Sequence, residues 1–284
     1  MTHPGRFALG GDLEVSRIGY GSMKLTGWPD ASRRPDRDTA HAVLRRAVEL
    51  GVDHIDTSFY YDHDGFRATD LIREALHPYP AGLRIVTKVG PIMTGQEGDA
   101  DDGLAPGNLR KAVEWNLASL GVDTLDAVNL RVDGVNPLPG GTLERPLTDL
   151  RELQEEGLIR HVGISNVPFE RFEQARQFAD IACVQNFYNL AVRKSEKIIE
   201  VCEAEGIAFV PFFPVSRFND EITEKVTAVA ARHGATIQQI ALAWLLRRSP
   251  NILVIPGTGS IAHLEENVAA GDIELTSADL AELG

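Results

Sequence analysis

Residues 39–57, TAHAVLRRAVELGVDHIDT, hold an amphipathic stretch (Thr39–Gly51), a glycine at its end, and then a short apolar run (Asp53–Thr57). The first part reads as a helix closed by Gly51, where a left-handed terminal residue is wanted. The second reads as a strand, and the unit recurs in both directions along the chain. Strands are expected at Arg17–Gly21, Asp53–Thr57, Arg84–Lys88, Leu125–Arg131, Arg160–Ile164, Ala182–Asn186, Ile207–Phe212 and Ile252–Ile255, eight in all. Further helical patterns lie at Asn108–Gly121, Ser195–Gly206 and Thr236–Ser249, with Ser195 and Thr236 as N-caps. Such alternation implies parallel strands joined by helical crossovers. Eight units imply closure, so the expected fold is α/β, a (β/α)8 TIM barrel forming one domain over residues 1–284.

Outside the repeat, Phe7–Ser16 reads as a β-hairpin turning at Gly10-Gly11-Asp12, placed to plug the barrel bottom. Two connections, Gly90–Pro106 and Asp133–Pro146, are long and turn-rich; both follow strands and so belong to the C-terminal face, where barrel active sites are built. Glu97, Asp99, Asp101 and Asp102 crowd the first, as solvated surface or as part of a lid.

The net charge of −13 argues against a nucleic-acid partner, which needs a clustered basic face. The N-terminus has no apolar signal-like region and no apolar run approaches about 18 residues, so no membrane association and a cytoplasmic location are expected. Two cysteines, Cys183 and Cys202, are too few for a disulfide framework and read as free core thiols. The oligomeric state is left open, with a monomer favoured.

Four polar residues sit at or just past strand ends: Asp56, Tyr61, Lys88 and Arg131. Each has a bland reading alone, as turn cap, half-buried aromatic or surface charge; Arg131 in particular has Asp126 and Asp133 within reach as ion-pair partners. Together they converge on one mouth of the barrel, where a lysine ending an apolar strand is costly unless paired. Carbonyl reduction needs a hydride donor at carbon and a proton donor at oxygen. A free tyrosine titrates near 10, and a neighbouring ammonium would lower that value and make it the better acid. An aspartate would hold the lysine in place and charged.

The motifs HIDTSFYY, IVTK, HVGISN, CVQNFYN and IPGTGSIAHLEEN, in that order and spacing, resemble the aldo-keto reductase superfamily from about Phe7 onward. The resemblance implies catalytic roles for Asp56, Tyr61 and Lys88. Arg131, in LDAVNLR, stands where the family has a histidine. The NLR ending, with VPFFP, LAWLLRRSPNIL and IPGT, looks like the bacterial pyridoxal reductase branch and implies a small-molecule carbonyl substrate, with pyridoxal reduced to pyridoxine. Alternatives are a secondary-metabolite or sugar-like ketone, or a poorly active cofactor-binding sensor.

The same resemblance places the cofactor. Gly21, Ser22 and Met23 would pass beneath the nicotinamide, Ser165, Asn166 and Gln185 would hold its carboxamide, and Phe212 would stack on its face. Pro214, Val215 and Ser216 would hold the pyrophosphate, and Thr258, His263, Glu266 and Asn267 the adenosine end. Gly257-x-Gly259 opening a helix resembles a dinucleotide fingerprint, but too little chain follows for a βαβ unit. What survives is close backbone approach and a helix N-terminus suited to phosphate. Related reductases carry a Lys and an Arg for the 2′-phosphate where this chain has Gly257 and His263. NADPH is therefore the expected cofactor, with NADH left open. Asp62-His63-Asp64-Gly65 hints at a calcium loop but lacks its other ligands. The scattered histidines show no zinc spacing, so no metal is expected.

Overall fold

A computed structural model describes residues 5–284 apart from 29, 91, 94–99, 102, 106, 133–140 and 217. Strands β1 (Arg6–Leu9) and β2 (Leu13–Ser16) form the antiparallel hairpin expected at the N-terminus. Its turn is fastened by Asp12, whose carboxylate meets Arg160 and His161, each at 2.6 Å. Gly10, at φ +65°, lies so close to His161 that a Cβ would overlap the ring.

Strand β3 (Tyr20–Gly21) leads into helix α1 (Arg37–Glu49), capped by Asp36, whose side chain accepts from the Thr39 amide at 2.7 Å. Gly51 follows at φ +87°, as the stop signal required. The chain continues through β4 (His54–Asp56), α2 (Ala68–Leu76), β5 (Arg84–Val89), a short antiparallel pair β6 (Ile92–Met93) and β7 (Ala100–Asp101), then α3 (Asn108–Leu120), β8 (Leu125–Arg131) and α4 (Glu144–Glu155). It ends with β9 (Ile159–Ser165), α5 (Phe169–Ala175), β10 (Ile181–Phe187), α6 (Glu196–Glu205), β11 (Ala208–Phe212), α7 (Asp220–His233), α8 (Ile237–Arg248), α9 (Ile261–Ala269) and α10 (Ser277–Leu283).

Seven parallel strands run in the order β11-β10-β9-β8-β5-β4-β3. The eighth expected strand closes the ring through single bridges: Ile252 pairs with Phe209 and Val254 with Ile18. Backbone hydrogen bonds fall on both sides of it, Leu253 N–H to Phe209 O at 2.9 Å and Gly19 N–H to Val254 O at 2.8 Å. The half-buried Arg17 guanidinium ties this seam to the end of α8, donating to Leu246 O (2.7 Å), Ser249 O (2.6 Å) and Ile252 O (3.1 Å). Burial pulls Arg17 down to about 10, which leaves it a cation at neutral pH.

Alternation along the strands divides the apolar residues into two shells. Ile55, Val128, Ile164, Val184 and Phe209 face the helices, whereas Val86, Ala127, Cys183, Ala208 and Val210 face inward and meet Leu9, Leu13 and Val15 of the hairpin. Cys183 and Cys202 are buried and unpaired, and burial pushes the Cys183 thiol up to about 12.

Thr236 caps α8 in a reciprocal capping box with Gln239. Ser195 does not cap α6: its hydroxyl makes no cap bond and lies 3.3 Å from the Asn186 amide nitrogen, which donates to it. The Asp133–Pro146 connection ends earlier than expected because α4 already begins at Glu144. Residues 94–99, 102, 106 and 133–140 lie outside the described residues, and with them Glu97, Asp99, Asp102 and Asp133. No helix among the described residues is long and apolar enough to cross a membrane.

Candidate active site

The C-terminal ends of β4, β5, β8, β9, β10 and β11 bring Asp56, Lys88, Arg131, Ser165, Gln185 and Phe212 to one end of the barrel. Lys88, 3% exposed, points its ammonium at Asp56 Oδ1 (2.6 Å) and at Thr57 O (3.1 Å). The second Asp56 oxygen accepts from Gln185 Nε2 at 2.8 Å. A charge taken this far from water is tolerated only when paired and hydrogen-bonded, and both members of this pair are.

Tyr61 follows β4 in a tight turn, its amide donating to Ser58 O at 3.1 Å, and places its ring centroid 5.1 Å from Lys88 Nζ. Its hydroxyl has no hydrogen-bond partner among the described residues and its side chain lines the cavity. Burial raises the Tyr61 pKa, the Asp56 carboxylate adds to the rise, and only the Arg131 guanidinium opposes it. The sequence led us to expect the reverse. The reason is geometric: Lys88 is neutralised by Asp56 at contact distance, so Tyr61 faces an ion pair rather than a lone cation.

Arg131 is half-buried, with its guanidinium carbon 5.4 Å from the Phe212 ring centroid. It has no ion-pair partner among the described residues. Asp126, a candidate partner by sequence, instead accepts from the Ile85 amide at 2.9 Å and faces Arg84 at 3.5 Å.

These groups border a cavity of about 780 Å³. Gly21, Met23, Asp56, Gln185, Phe212, Pro214, Val215 and Ser216 line it. Gly257, Thr258, His263, Glu266 and Asn267 line it as well. Ser22, Ser165, Asn166 and Gly259 are not among the lining residues, though Ser165 pairs in register with Gln185. Asn166, at φ +62°, spends its amide on Val132 O at 3.0 Å.

The polar atoms left over fit a nicotinamide. Ser165 Oγ and Gln185 Oε1 are buried without partners, a donor and an acceptor matched to a carboxamide. Phe212 offers a flat face, stacked on Phe187 at 5.8 Å and 11°. Beside the lining residues Thr258 and His263, Ser260 caps α9, whose free N–H groups suit a phosphate. A side chain at position 257 is sterically barred here: a Cβ on Gly257 would lie 2.6 Å from Gly21 O, where the barrel seam brings two backbones together. His263 is exposed.

Lys24, Trp28, Tyr60, Phe213 and Gln238 also line the cavity and were not singled out by sequence, and Asp62 lines it too, having been noted only as part of a calcium-loop hint. Lys24 and Trp28 directly follow the Gly21–Met23 segment, and Tyr60 and Phe213 adjoin recognised residues, so proximity in sequence was an available signal. Gln238 had none, since it projects from α8, which reads as a packing helix. Asp62 is no calcium ligand: one oxygen accepts from the Gly65 amide (2.8 Å) and the other meets Arg67 (2.6 Å). No cluster of three metal-ligating side chains occurs among the described residues.

The model of the Aldo/keto reductase family matches residues 17–284. Pyridoxine 4-dehydrogenase of Escherichia coli is 48% identical over 278 residues, 96% of this chain and 95% of that protein. An uncharacterized oxidoreductase of Schizosaccharomyces pombe is 39% identical over 96% of this chain and 87% of its own length. Among solved structures, an aldo/keto reductase from Klebsiella pneumoniae in complex with NADP and acetate superposes with a TM-score of 0.82 at 27% identity, over 98% of this chain and 93% of that one.

Proposed function

The chain belongs to the aldo/keto reductase family, and from that premise we propose that it reduces an aromatic aldehyde, pyridoxal among them, to the alcohol with NADPH. A nicotinamide bound along Gly21, Gln185 and Phe212 would supply the hydride. Tyr61 gives its phenolic proton to the carbonyl oxygen, since its side chain opens on the cavity and burial keeps the hydroxyl protonated until it is needed. Arg131 polarises the same oxygen and stabilises its developing negative charge. Lys88 packs its ammonium against the Tyr61 ring, while Asp56 and Gln185 hold the pair in place.

The observation that carries this reading is the buried Lys88–Asp56 pair lying beside a cavity-facing tyrosine and an unpaired guanidinium. Pyridoxal is favoured by the Escherichia coli relative and by the aromatic lining of Trp28, Tyr60 and Phe213. NADPH over NADH is supported by the phosphate-suited start of α9 and by the NADP-bound relative. Buried, unpaired thiols fit a reducing, cytoplasmic setting. The test follows nicotinamide absorbance with NADPH or NADH across a panel of aldehydes that includes pyridoxal and benzaldehyde. Turnover of aldehydes, faster with NADPH, is the expected result. Inertness toward every aldehyde overturns the reductase reading, and inertness toward pyridoxal alone overturns only the substrate.

A further inference from the structure

Arg131 is the one feature of the catalytic cluster that a single-donor imidazole would not reproduce. A guanidinium is planar, permanently charged, and presents its N–H groups as a fork that matches two neighbouring acceptor oxygens. Here nothing competes for it among the described residues. Asp56 is taken by Lys88 and Gln185, Asp62 by Arg67 and the Gly65 amide, and Asp126 by Arg84 and the Ile85 amide. Its guanidinium carbon lies 5.4 Å from the Phe212 ring centroid, and Tyr60, Phe213 and Trp28 border the same cavity. The complement of such a site is a flat ring with two adjacent oxygens, one of them negative.

We propose that Arg131 makes this site selective for aromatic aldehydes bearing an ionisable hydroxyl ortho to the carbonyl, holding both oxygens in one bidentate contact. The inference rests on the reductase reading above and narrows its substrate class. One guanidinium N–H donates to the carbonyl oxygen, alongside the Tyr61 hydroxyl, and a second donates to the ortho oxygen. Hydride adds to the carbonyl carbon, the carbonyl oxygen takes the Tyr61 proton, and Tyr61 is reprotonated from solvent. The ortho oxygen is neither oxidised nor reduced; it serves recognition and fixes the plane in which the carbonyl is presented. A 3-hydroxy-4-formylpyridine belongs to this class.

The test compares 2-hydroxybenzaldehyde, 4-hydroxybenzaldehyde and benzaldehyde with the NADPH-loaded enzyme, in the wild type, Arg131→Lys and Arg131→His. The expected kcat/KM for the 2-hydroxy isomer exceeds that for the 4-hydroxy isomer by at least tenfold in the wild type. The ratio narrows in Arg131→Lys, which keeps charge without the fork, and falls to about one in Arg131→His, while absolute rates drop in both. Dissociation constants for the two isomers on the NADP+-loaded wild type, read by tryptophan fluorescence, should differ in the same direction without any turnover. Equal kcat/KM and equal affinity for the two isomers, with benzaldehyde reduced, overturns this proposal and leaves the reductase reading standing. A preference retained in Arg131→His overturns it as well. Inert benzaldehyde together with inert isomers overturns both.

Discussion

At the mouth of the barrel Tyr61 sits beside a carboxylate–ammonium pair 2.6 Å apart, and the balance of burial against charge decides its protonation. Removing phenolate from water outweighs the attraction of a cation that is already paired, so the hydroxyl keeps its proton. A general acid works in its protonated form, and a raised pKa moves the loss of that form to higher pH. Reduction should therefore show no alkaline limb from about pH 7 to about pH 9, below the ordinary tyrosine value. A kcat/KM that falls across this range would refute the assignment. Arg131→His should introduce an ionisation near an imidazole value of about 6.5. Tyr61→Phe should lower kcat by about 10²–10⁴-fold, the usual contribution of a positioned acid. Because the hydroxyl faces the cavity and no described residue hydrogen-bonds to it, NADPH affinity by fluorescence titration should stay unchanged. Retained turnover in this variant would mean that the proton comes from elsewhere.

Among the elements, the seam that closes the barrel is the least redundant. Its eighth member pairs through single bridges, Ile252 with Phe209 and Val254 with Ile18, while β8 and β9 pair along most of their length. Arg17 compensates by donating to three carbonyls at the end of α8 and on the seam itself. Positive charge there also complements the helix C-terminus. Arg17→Ala should cost about 1.5–3 kcal/mol, the range for hydrogen bonds to a charged group. Urea unfolding measures it, and hydrogen exchange should quicken at the Val254 and Leu253 amides more than at β8. A loss confined to about 0.5 kcal/mol, typical of an ordinary surface change, would show that the bridges hold alone. The same seam explains Gly257: where backbones come this close, a side chain has no room.

At the scale of the whole molecule, one end of the barrel carries the hairpin and the other the cavity. Leu9, Leu13 and Val15 complete the inner apolar shell from below, while the candidate site uses the strand ends above. Stability and function should separate accordingly. Leu13→Ala, at a fully buried position, should cost about 2–5 kcal/mol of unfolding free energy. NADPH affinity should remain within about twofold of the wild type because the hairpin does not reach the cavity. A matching loss of affinity would show that the two ends are coupled. Much of this architecture was legible in the chain. Apolar runs set β8 to the residue, Thr236 announced the start of α8, and Gly10-Gly11 announced the hairpin turn, because these signals act over a few neighbouring residues. The identity of Asp56, Tyr61, Lys88 and Arg131 as a group was legible too, since parallel strands deliver all their C-terminal ends to one face. What only the folded chain decided was every outcome that depends on distance between segments remote in sequence. That Lys88 is spent on Asp56 and no longer lowers Tyr61, that Ser195 lies under Asn186 instead of capping α6, that Gln238 reaches the cavity and that Gly257 admits no side chain all follow from contacts across the barrel. Electrostatics and steric exclusion act through space over a few ångströms, and residue order alone does not fix those separations.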